Sequence, residues 1–370
     1  MNTIELKQIS NAIEKFDIAE EVYGCVPYGN GHINDTCLVM ARGKDGGTVK
    51  YILQAINHNV FKEPLKVMEN IEKVTAFLDG KVKERRGVLR LIDTKLGRNC
   101  YVDEYVNIWR MYEFVENSIC LDRPETLEDF RQCAIAFGEF QRYLADFPAD
   151  SLYETIPDFH NTPKRYRDFL DAVEADICGR AAGVREEIEF IKARKDFYPV
   201  LFDSYKAGKL PLKVTHNDTK PNNVMLDKDT RKALCVIDLD TVMPGFSVTD
   251  FGDSIRFGAS TADEDEKDVS KVSVDLKLFD IYTEGFLTGC GGMLTDDEIR
   301  LLPEGAKMMT IECGMRFLTD YLSGDTYFKT AYPEHNLVRC RTQLKLVADM
   351  EEKWDEMKRI TAKYLKGEEA

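Results

Sequence analysis

Two short apolar segments, each followed by polar side chains, constrain this chain more than any other feature. The first, Val214-Thr215, leads into a loop that carries Asp218 and, five positions later, Asn223. The second, Cys235-Val236-Ile237, ends at Asp238. Short apolar runs bounded by polar residues are typical of buried strands. The pattern therefore predicts two strand ends that bring two carboxylates and one amide to the same place.

The loop repeats an order of residues that resembles the catalytic core of kinases. His216, Asp218 and Asn223 follow the pattern H-x-D-x-x-x-x-N, and Asp238 stands where kinases carry a metal-binding aspartate. Phosphoryl transfer requires mainly the positioning of groups and the neutralisation of charge. Asp218 is therefore the candidate catalytic residue, because a carboxylate can orient an attacking hydroxyl. His216 is expected to brace the loop rather than to carry protons.

The same stretch also predicts ligands for Mg²⁺. Asn223 and Asp238 carry the hard oxygen atoms that suit Mg²⁺ bound to nucleotide phosphates. Asp240 follows Asp238 by two positions, so both side chains would lie on one face if the strand continued. Asp240 is therefore interpreted either as a further ligand or as a support for the ligand Asp238.

Length and composition favour a globular protein with two parts. The 370 residues exceed what one compact core usually holds, and 44% of them are apolar. A net charge of −15 opposes binding to phosphate backbones and anionic lipid, so neither nucleic acid nor membrane is expected as a main partner. The amino terminus lacks the features of a signal peptide and no apolar run approaches a membrane span, which predicts a cytoplasmic protein.

The order of the elements predicts an α+β, two-lobed, protein-kinase-like fold. Strand-like runs at 21–26, 34–40 and 48–56 precede a helical pattern at 65–78, which is the order of a kinase small lobe. A polar break at 116–118 ends this part, and the pattern beyond it is mostly helical. We therefore expect a small, mostly β lobe at 1–116 and a larger, mostly helical lobe at 117–370.

Candidate contacts for ATP lie in the small lobe. The turn between the first two strands contains Gly29 and Gly31, where kinases carry a glycine-rich cover over the phosphates. This signal is weak alone, because Gly-x-Gly between strands is more often an ordinary hairpin. Backbone groups of Glu113 and Val115, just before the polar break, are expected to face the adenine. Gln54 ends the third-strand motif near the phosphates.

The chain resembles the N-acetylhexosamine 1-kinases, sugar-anomeric kinases within the aminoglycoside phosphotransferase superfamily. The motif around Asp218 is shared by the whole superfamily, whereas the later motifs are more specific to these sugar kinases. The similar stretches extend over nearly the whole chain, at 27–34, 51–54, 214–220, 237–241, 250–260, 312–318 and 332–337.

The resemblance implies transfer of the γ-phosphoryl group of ATP to the anomeric hydroxyl of N-acetylglucosamine or N-acetylgalactosamine. Mg²⁺ is the expected cofactor, and no protein partner is implied. By this resemblance, Asp218 contacts the sugar O1, and His32, Arg316 and Tyr327 help to hold the sugar. These residue types suit a neutral polyol, which needs directed hydrogen bonds and an aromatic face. Without the resemblance, Arg316 would be read as a salt-bridge residue of a helix and Tyr327 as a core residue.

The segment after the metal aspartate adds one more expectation. Residues 244–253 resemble the stretch that follows the metal aspartate in aminoglycoside phosphotransferases and choline kinases. Within it, Asp250 would accept hydrogen bonds from the loop that carries Asp218. Its role is therefore expected to be structural support rather than direct chemistry.

One departure from the protein-kinase pattern leaves alternatives open. The third strand has Gln54 where protein kinases carry a phosphate-binding lysine, so no lysine pair can be assigned to Glu69 or Glu72. The resemblance to the sugar kinases includes this glutamine. A kinase for another small acceptor, such as a different hexose, an aminoglycoside or choline, is the first alternative. A catalytically silent protein that binds nucleotide or sugar is the second.

Overall fold

The fold is a mixed α+β arrangement with a sheet region followed by a larger helical part, as predicted. The computed structural model describes residues 6–18, 21–29, 34–58 and 60–365. The strands are β1 Glu21–Pro27, β2 Asp35–Arg42, β3 Thr48–Ile56, β4 Leu91–Ile92, β5 Tyr101–Val102, β6 Ile108–Glu113, β7 Ser118–Cys120, β8 Lys213–Thr215, β9 Val224–Asp227, β10 Ala233–Val236 and β11 Met243–Gly245. The helices are α1 Leu6–Ile13, α2 Pro64–Asp79, α3 Leu127–Tyr143, α4 Thr162–Ala175, α5 Arg185–Lys192, α6 Val200–Lys206, α7 Ser247–Gly258, α8 Leu276–Cys290, α9 Asp296–Arg300, α10 Leu302–Leu322, α11 His335–Glu352 and α12 Trp354–Ala362.

The first sheet is antiparallel and has the strand order β1-β2-β3-β6-β4, with β5 also paired to β6. Strand β3 occupies 48–56, as the sequence predicted. The register places Gln54 of β3 between Thr36 of β2 and Arg110 of β6. Cross-strand partners project to the same face of a sheet, so these three side chains are neighbours.

Two apolar clusters cover the faces of this sheet. On one face, Phe16 and the end of α1 pack against Leu53 and Trp109. On the other face, α2 contributes Ile71 to a cluster that also contains Val242 from the second half of the chain. Because this second cluster draws on both halves of the sequence, burial of apolar surface holds the sheet region against the helical part.

Sheet membership changes in the segment that follows β6. Strand β6 ends at Glu113, and β7 begins at Ser118 in a different, three-stranded sheet of order β10-β9-β7. The polar break predicted at 116–118 therefore coincides with the passage between the two sheets. A lobe boundary between 116 and 117 stays a proposal, which this change of sheet supports.

The strand before Asp218 does not pair with the strand before Asp238. Strand β8 pairs with β11, whereas β10 pairs with β9. Helix α3 begins after Thr126, which forms a capping box with Asp129. Helices α11 and α12 meet at Lys353.

Helix length and composition bear on a membrane location. Among the residues that the structure describes, every helix is too short or too polar to cross a bilayer.

Close packing of α3 against α8 gives a stability prediction. A Cβ atom added to Gly138 would lie 2.2 Å from the carbonyl oxygen of Phe286 and 2.9 Å from the amide nitrogen of Cys290. Gly138→Ala therefore forces the two helices apart, and we expect it to lower the free energy of unfolding by roughly 1–3 kcal/mol. Urea unfolding measures this loss. Gly183→Ala is the control, because nothing lies within 4 Å of its added Cβ; equal stability of both variants would contradict the prediction.

Candidate active site

Asp250, in the first turn of α7, holds the loop that carries Asp218. The backbone amides of His216 and Asn217 each donate to its carboxylate at 2.8 Å, and Gln141 Nε2 donates at 2.8 Å. Asp250 is buried, and burial raises its pKa, while the charge of His216 and the donated hydrogen bonds act in the opposite direction. The support predicted for Asp250 is therefore present in the structure.

His216 joins the same loop to the segment that carries Asp238. Its Nε2 lies 2.8 Å from the carbonyl oxygen of Ile237. The ring is buried between Phe137 and Phe140, with centroid separations of 5.5 and 6.0 Å. This placement suits the bracing role predicted for His216, because the ring is enclosed by apolar side chains and bonded to backbone.

Asp218 lies in direct contact with Asn223 and Lys220. Asn223 Nδ2 donates to the backbone oxygen of Asp218 at 2.7 Å and to its carboxylate at 3.2 Å. Lys220 Nζ lies 3.0 Å from the other carboxylate oxygen. Burial alone would lower the pKa of Lys220, but the charge of Asp218 raises it above its ordinary value. A cation therefore stands beside the candidate catalytic carboxylate.

The end of the β9–β10 pair places Asn223 beside Asp238. The last paired residues are Val224 and Val236, and the amide of Ile237 then donates to the carbonyl oxygen of Asn223 at 2.9 Å. Asp238 follows with φ +60°, a left-handed conformation that turns the chain away from the strand. The structure therefore brings Asp218, Asn223 and Asp238 together, as the sequence pattern predicted.

Asp240 lies beyond the end of the strand. Residues Leu239–Thr241 form a turn of 3₁₀ helix, so the strand continuation on which the shared face depended does not occur. Both carboxylate oxygens of Asp240 are engaged: Arg110 Nη1 bonds Oδ1, and Asn34 Nδ2 donates to Oδ2 at 2.6 Å. Of the two roles predicted for Asp240, this geometry favours support of Asp238 over direct binding of Mg²⁺.

The carboxylates of this site repel one another. Burial, followed by the charges of Asp240 and Asp218, raises the pKa of Asp238 to about 6, although Arg110 acts in the opposite direction. The positive charge of Arg110 thus compensates the negative charge of these carboxylates only in part. A bound cation would relieve this repulsion and favour the ionised form of Asp238.

The donor set fits Mg²⁺ bound together with phosphates. In the part of the chain that the structure describes, no three His, Cys, Asp or Glu side chains form a metal cluster by themselves. Kinase-type Mg²⁺ does not need such a cluster, because one or two protein oxygens suffice when phosphates and water complete the shell. The Oδ1 of Asn223 and the carboxylate of Asp238 are the candidate ligands.

Gln54 replaces the strand-three lysine in position but not in charge. Its Oε1 accepts from Arg110 Nε at 2.9 Å, and its Nε2 donates to Thr36 Oγ1 at 3.0 Å. On α2, Glu69 pairs with Lys73 of the same helix, at 2.9 Å. The lysine–glutamate pair of protein kinases is therefore replaced by a different network, which includes Arg110.

Part of the predicted phosphate cover falls outside the described residues. Gly29 lies two residues after the end of β1 and has φ +78°, a backbone conformation that glycine adopts without strain. Gly31 and His32 lie outside the described residues. The nucleotide role of Gly31 and the sugar role of His32 stay predictions.

Glu113 and Val115 lie where β6 leaves the sheet. The Glu113 carboxylate accepts from Arg85 Nη2 at 2.7 and 2.8 Å, and its amide donates to the carbonyl oxygen of Arg90 at 2.9 Å. The carbonyl oxygen of Val115 accepts from Ser118 Oγ at 2.7 Å. Both residues are thus fixed in position, and their contact with adenine stays a prediction.

Arg316, in the second half of α10, lies in a cluster of aromatic side chains. The centre of its guanidinium lies 5.3 Å from the ring of Phe159, 5.7 Å from that of Tyr327 and 5.5 Å from that of Phe328. Arg316 Nη2 also donates to the Tyr327 hydroxyl at 3.4 Å. Tyr327 is 62% exposed, so it is a surface residue rather than a core residue.

His160 connects α10, which carries Arg316, to the loop that carries Asp218. Its Nε2 lies 3.2 Å from the carbonyl oxygen of Asn217, and its Nδ1 lies 2.8 Å from Glu312, one helical turn before Arg316. Burial would raise the pKa of Glu312, but hydrogen bonds and charge from His160 and the Thr162 hydroxyl bring it below its ordinary value. His160 therefore joins the helix that carries Arg316 to the residue before Asp218.

Comparison with known proteins decides the family. The sequence model of the phosphotransferase enzyme family matches residues 24–269. The chain belongs to this family. Among solved structures, a microcompartment-associated aminopropanol kinase aligns with a TM-score of 0.64 and 16% identity, over 96% of this chain and 99% of that one. These values show a shared fold across nearly the full length of both proteins.

Two further solved structures share the fold of this phosphotransferase. An aminoglycoside phosphotransferase from Alicyclobacillus acidocaldarius has a TM-score of 0.62 at 12% identity, with 96% of each chain covered. An amicoumacin kinase solved with AMP-PNP and Ca²⁺ has a TM-score of 0.56 at 12% identity, over 92% of this chain and 93% of that one. The kinase-like fold predicted from the sequence is thereby confirmed, whereas the acceptor is not decided by likeness at this level.

Three residues of the site were missed by the sequence patterns. Lys220 lies inside the motif, two residues after Asp218, and its position there was the available signal. Arg110 interrupts an apolar strand, and a lone charge in such a strand indicates a buried partner. His160 gave no local signal, because its partners are distant in sequence.

Proposed function

We propose that this phosphotransferase is an ATP-dependent, Mg²⁺-requiring kinase that phosphorylates the 1-hydroxyl of N-acetylhexosamines. The contact of Asp218 with Asn223, beside Asp238, carries the kinase part of the proposal. The resemblance to the sugar-anomeric kinases and the Arg316 cluster support the acceptor.

In this mechanism Asp218 orients the anomeric hydroxyl and accepts its proton as the sugar oxygen bonds the γ-phosphorus of ATP, while the bond from that phosphorus to the β–γ bridging oxygen breaks and ADP leaves. Lys220 restrains the Asp218 carboxylate and places positive charge beside the transferred group. Asn223 and Asp238 would hold Mg²⁺, which when bound neutralises charge on the ATP phosphates. Positioning and electrostatics thus account for the chemistry, as is usual for phosphoryl transfer.

The Arg316 cluster suits a neutral sugar better than a cation. Arg165 and Arg316 lie close enough for the charge of Arg316 to lower the pKa of Arg165, together with the larger effect of burial. Two neighbouring guanidinium groups repel a cationic acceptor, whereas they can donate to hydroxyl and acetyl oxygens. Phe159 and Tyr327 add aromatic faces, against which a sugar ring can pack.

An acceptor panel tests the proposal. Purified protein is incubated with Mg·ATP and, separately, N-acetylglucosamine, N-acetylgalactosamine, glucose, galactose, an aminoglycoside, choline and 1-aminopropan-2-ol, and phosphorus NMR identifies the products. We expect a sugar 1-phosphate with the N-acetylhexosamines. Phosphorylation of an amine-bearing acceptor alone would contradict the sugar assignment, and the absence of any product would favour the catalytically silent alternative.

A kinase for a small amino alcohol is the second candidate. A groove of about 710 Å³ next to Lys220 contains several acidic side chains, and the aminopropanol kinase shares the fold. Most of these acids already have basic partners: Asp263 pairs with Arg123, and Glu264 with Arg256. Because paired carboxylates attract a cation less strongly, this candidate ranks below the sugar kinase.

Substitution of Arg316 gives a prediction specific to the acceptor. We expect Arg316→Ala to raise the KM for the N-acetylhexosamine by about tenfold to a hundredfold, because a charged hydrogen bond contributes roughly 1.5–3 kcal/mol. The KM for ATP should change less than twofold. Steady-state kinetics with each substrate varied in turn measure both values. Arg167→Ala, on the exposed surface of α4, is the control; a change confined to the KM for ATP would contradict the assignment.

A further inference from the structure

A buried arginine occupies the place next to the missing strand-three lysine. Arg110 lies opposite Gln54 in the β3–β6 register, and its Nε donates to Gln54 Oε1 at 2.9 Å. Its Nη1 bonds the carboxylate of Asp240. Arg110 is 1% exposed and Asp240 is 3% exposed. Two opposite charges are therefore removed from water together at the junction of the sheet region and the helical part.

Asp240 receives a second contact from the sheet region. Asn34 Nδ2 donates to Asp240 Oδ2 at 2.6 Å, and Asn34 Oδ1 accepts from the amide of Asn57 at 3.0 Å. Asn34 stands immediately before β2. Both carboxylate oxygens of Asp240 are thus bonded by residues of the sheet region. Asp240 follows the candidate metal ligand Asp238 by two positions.

The guanidinium of Arg110 keeps its positive charge although it is buried. Burial alone would lower the pKa of Arg110, but the charges of Asp240 and Asp238 keep it above its ordinary value, so the guanidinium stays charged. Lys50, on the same face of β3, lies 3.0 Å from Glu116 near the end of the sheet. Of these two cations, Arg110 is therefore the one that contacts the segment that carries Asp238.

We propose that Arg110 is the positioning residue that performs the task of the missing lysine. Its bond to Asp240 fixes the segment that also carries Asp238 relative to the sheet region. Its guanidinium adds positive charge near the phosphates of bound ATP. Gln54 completes the site as a neutral spacer that orients the guanidinium. This inference rests on the nucleotide half of the proposed function and is independent of the acceptor.

Nucleotide binding to the full chain tests the inference without any acceptor. The affinity for AMP-PNP with Mg²⁺ and the affinity for adenosine are measured by calorimetry. We expect Arg110→Met to weaken AMP-PNP binding at least thirtyfold while adenosine affinity changes less than threefold. A merely structural defect would weaken both ligands alike. Parallel weakening, or unchanged AMP-PNP binding, would overturn the inference. Arg42→Met, at the exposed end of β2, is the control.

Relocating the cation gives the second part of the experiment. In the double variant Gln54→Lys with Arg110→Met, a lysine stands in its protein-kinase position, opposite residue 110 in the β3–β6 register. We expect at least tenfold recovery of AMP-PNP affinity relative to Arg110→Met. A folded double variant without recovery would count against the inference.

Two controls keep the outcome interpretable. If Arg110→Met does not fold, Arg110→Lys replaces it, with an expected threefold to tenfold loss for AMP-PNP and none for adenosine; equal or absent changes would again refute the inference. Failure of the unsubstituted protein to bind AMP-PNP with Mg²⁺ would instead refute the proposed function. The two failures are thus distinguishable.

Discussion

Asp218→Asn is expected to reduce kcat by about 10³-fold while the KM for ATP stays within a factor of three. The substitution removes the charge that orients the acceptor hydroxyl and accepts its proton, a contribution of about 10²–10⁴ in rate for general bases. An asparagine oxygen can still accept from Asn223, which donates to both the side chain and the backbone of Asp218. The loop should therefore keep its conformation.

Kinetics and thermal unfolding together test this expectation. The rate of ADP release is measured with a saturating acceptor, and the melting temperature should stay within about 2 °C of the unsubstituted protein. Asp171→Asn, on the exposed face of α4, should leave both quantities unchanged. A variant with near-normal kcat would remove Asp218 from the catalytic role. A lower kcat with a much lower melting temperature would indicate a folding defect.

The proximity of the candidate catalytic and metal-binding residues could be predicted because its geometry is local. Asp218 and Asn223 are five residues apart on one loop, and the strand pair that begins at Val224 returns the chain to Asp238. Short loops between buried strands leave few arrangements, so spacing in the sequence translates into spacing in the structure. The shift of Asp240 from the strand face shows the limit of this reasoning. A left-handed residue, Asp238, redirects the chain, and no periodicity in the sequence indicates such a residue.

The supporting network could not be predicted, because its partners are far apart along the chain. Arg110 and Asp240 are 130 residues apart, and His160 and Glu312 are 152 residues apart. A single sequence contains the charges but not their pairing. A lone arginine in an apolar strand is typical of a residue with a buried partner, but the sequence does not indicate which carboxylate that partner is. The fold class could be predicted, because it depends on periodicity and on the order of the elements along the chain.

Asp250→Asn is expected to lower both stability and turnover. The Asp250 carboxylate accepts three hydrogen bonds, from the amides of His216 and Asn217 and from Gln141 Nε2. An asparagine keeps one acceptor oxygen and turns an NH₂ group toward a donor, so at least one buried N–H loses its partner. We expect a loss of about 2–4 kcal/mol in the free energy of unfolding, from a charged hydrogen bond and an unsatisfied buried donor.

The loss of turnover follows from the same contacts. The two amides held by Asp250 belong to the residues immediately before Asp218, so release of either one lets the Asp218 carboxylate move relative to Asn223 and Asp238. Displacement of about 1 Å can cost on the order of 10²-fold in rate. Urea unfolding gives the stability change, and kcat measured well below the unfolding transition separates misplacement from unfolding. A variant that loses stability but keeps full kcat would show that Asp250 supports α7 alone. Loss of both, with Asp171→Asn unaffected, would show that the carboxylate sets the position of Asp218.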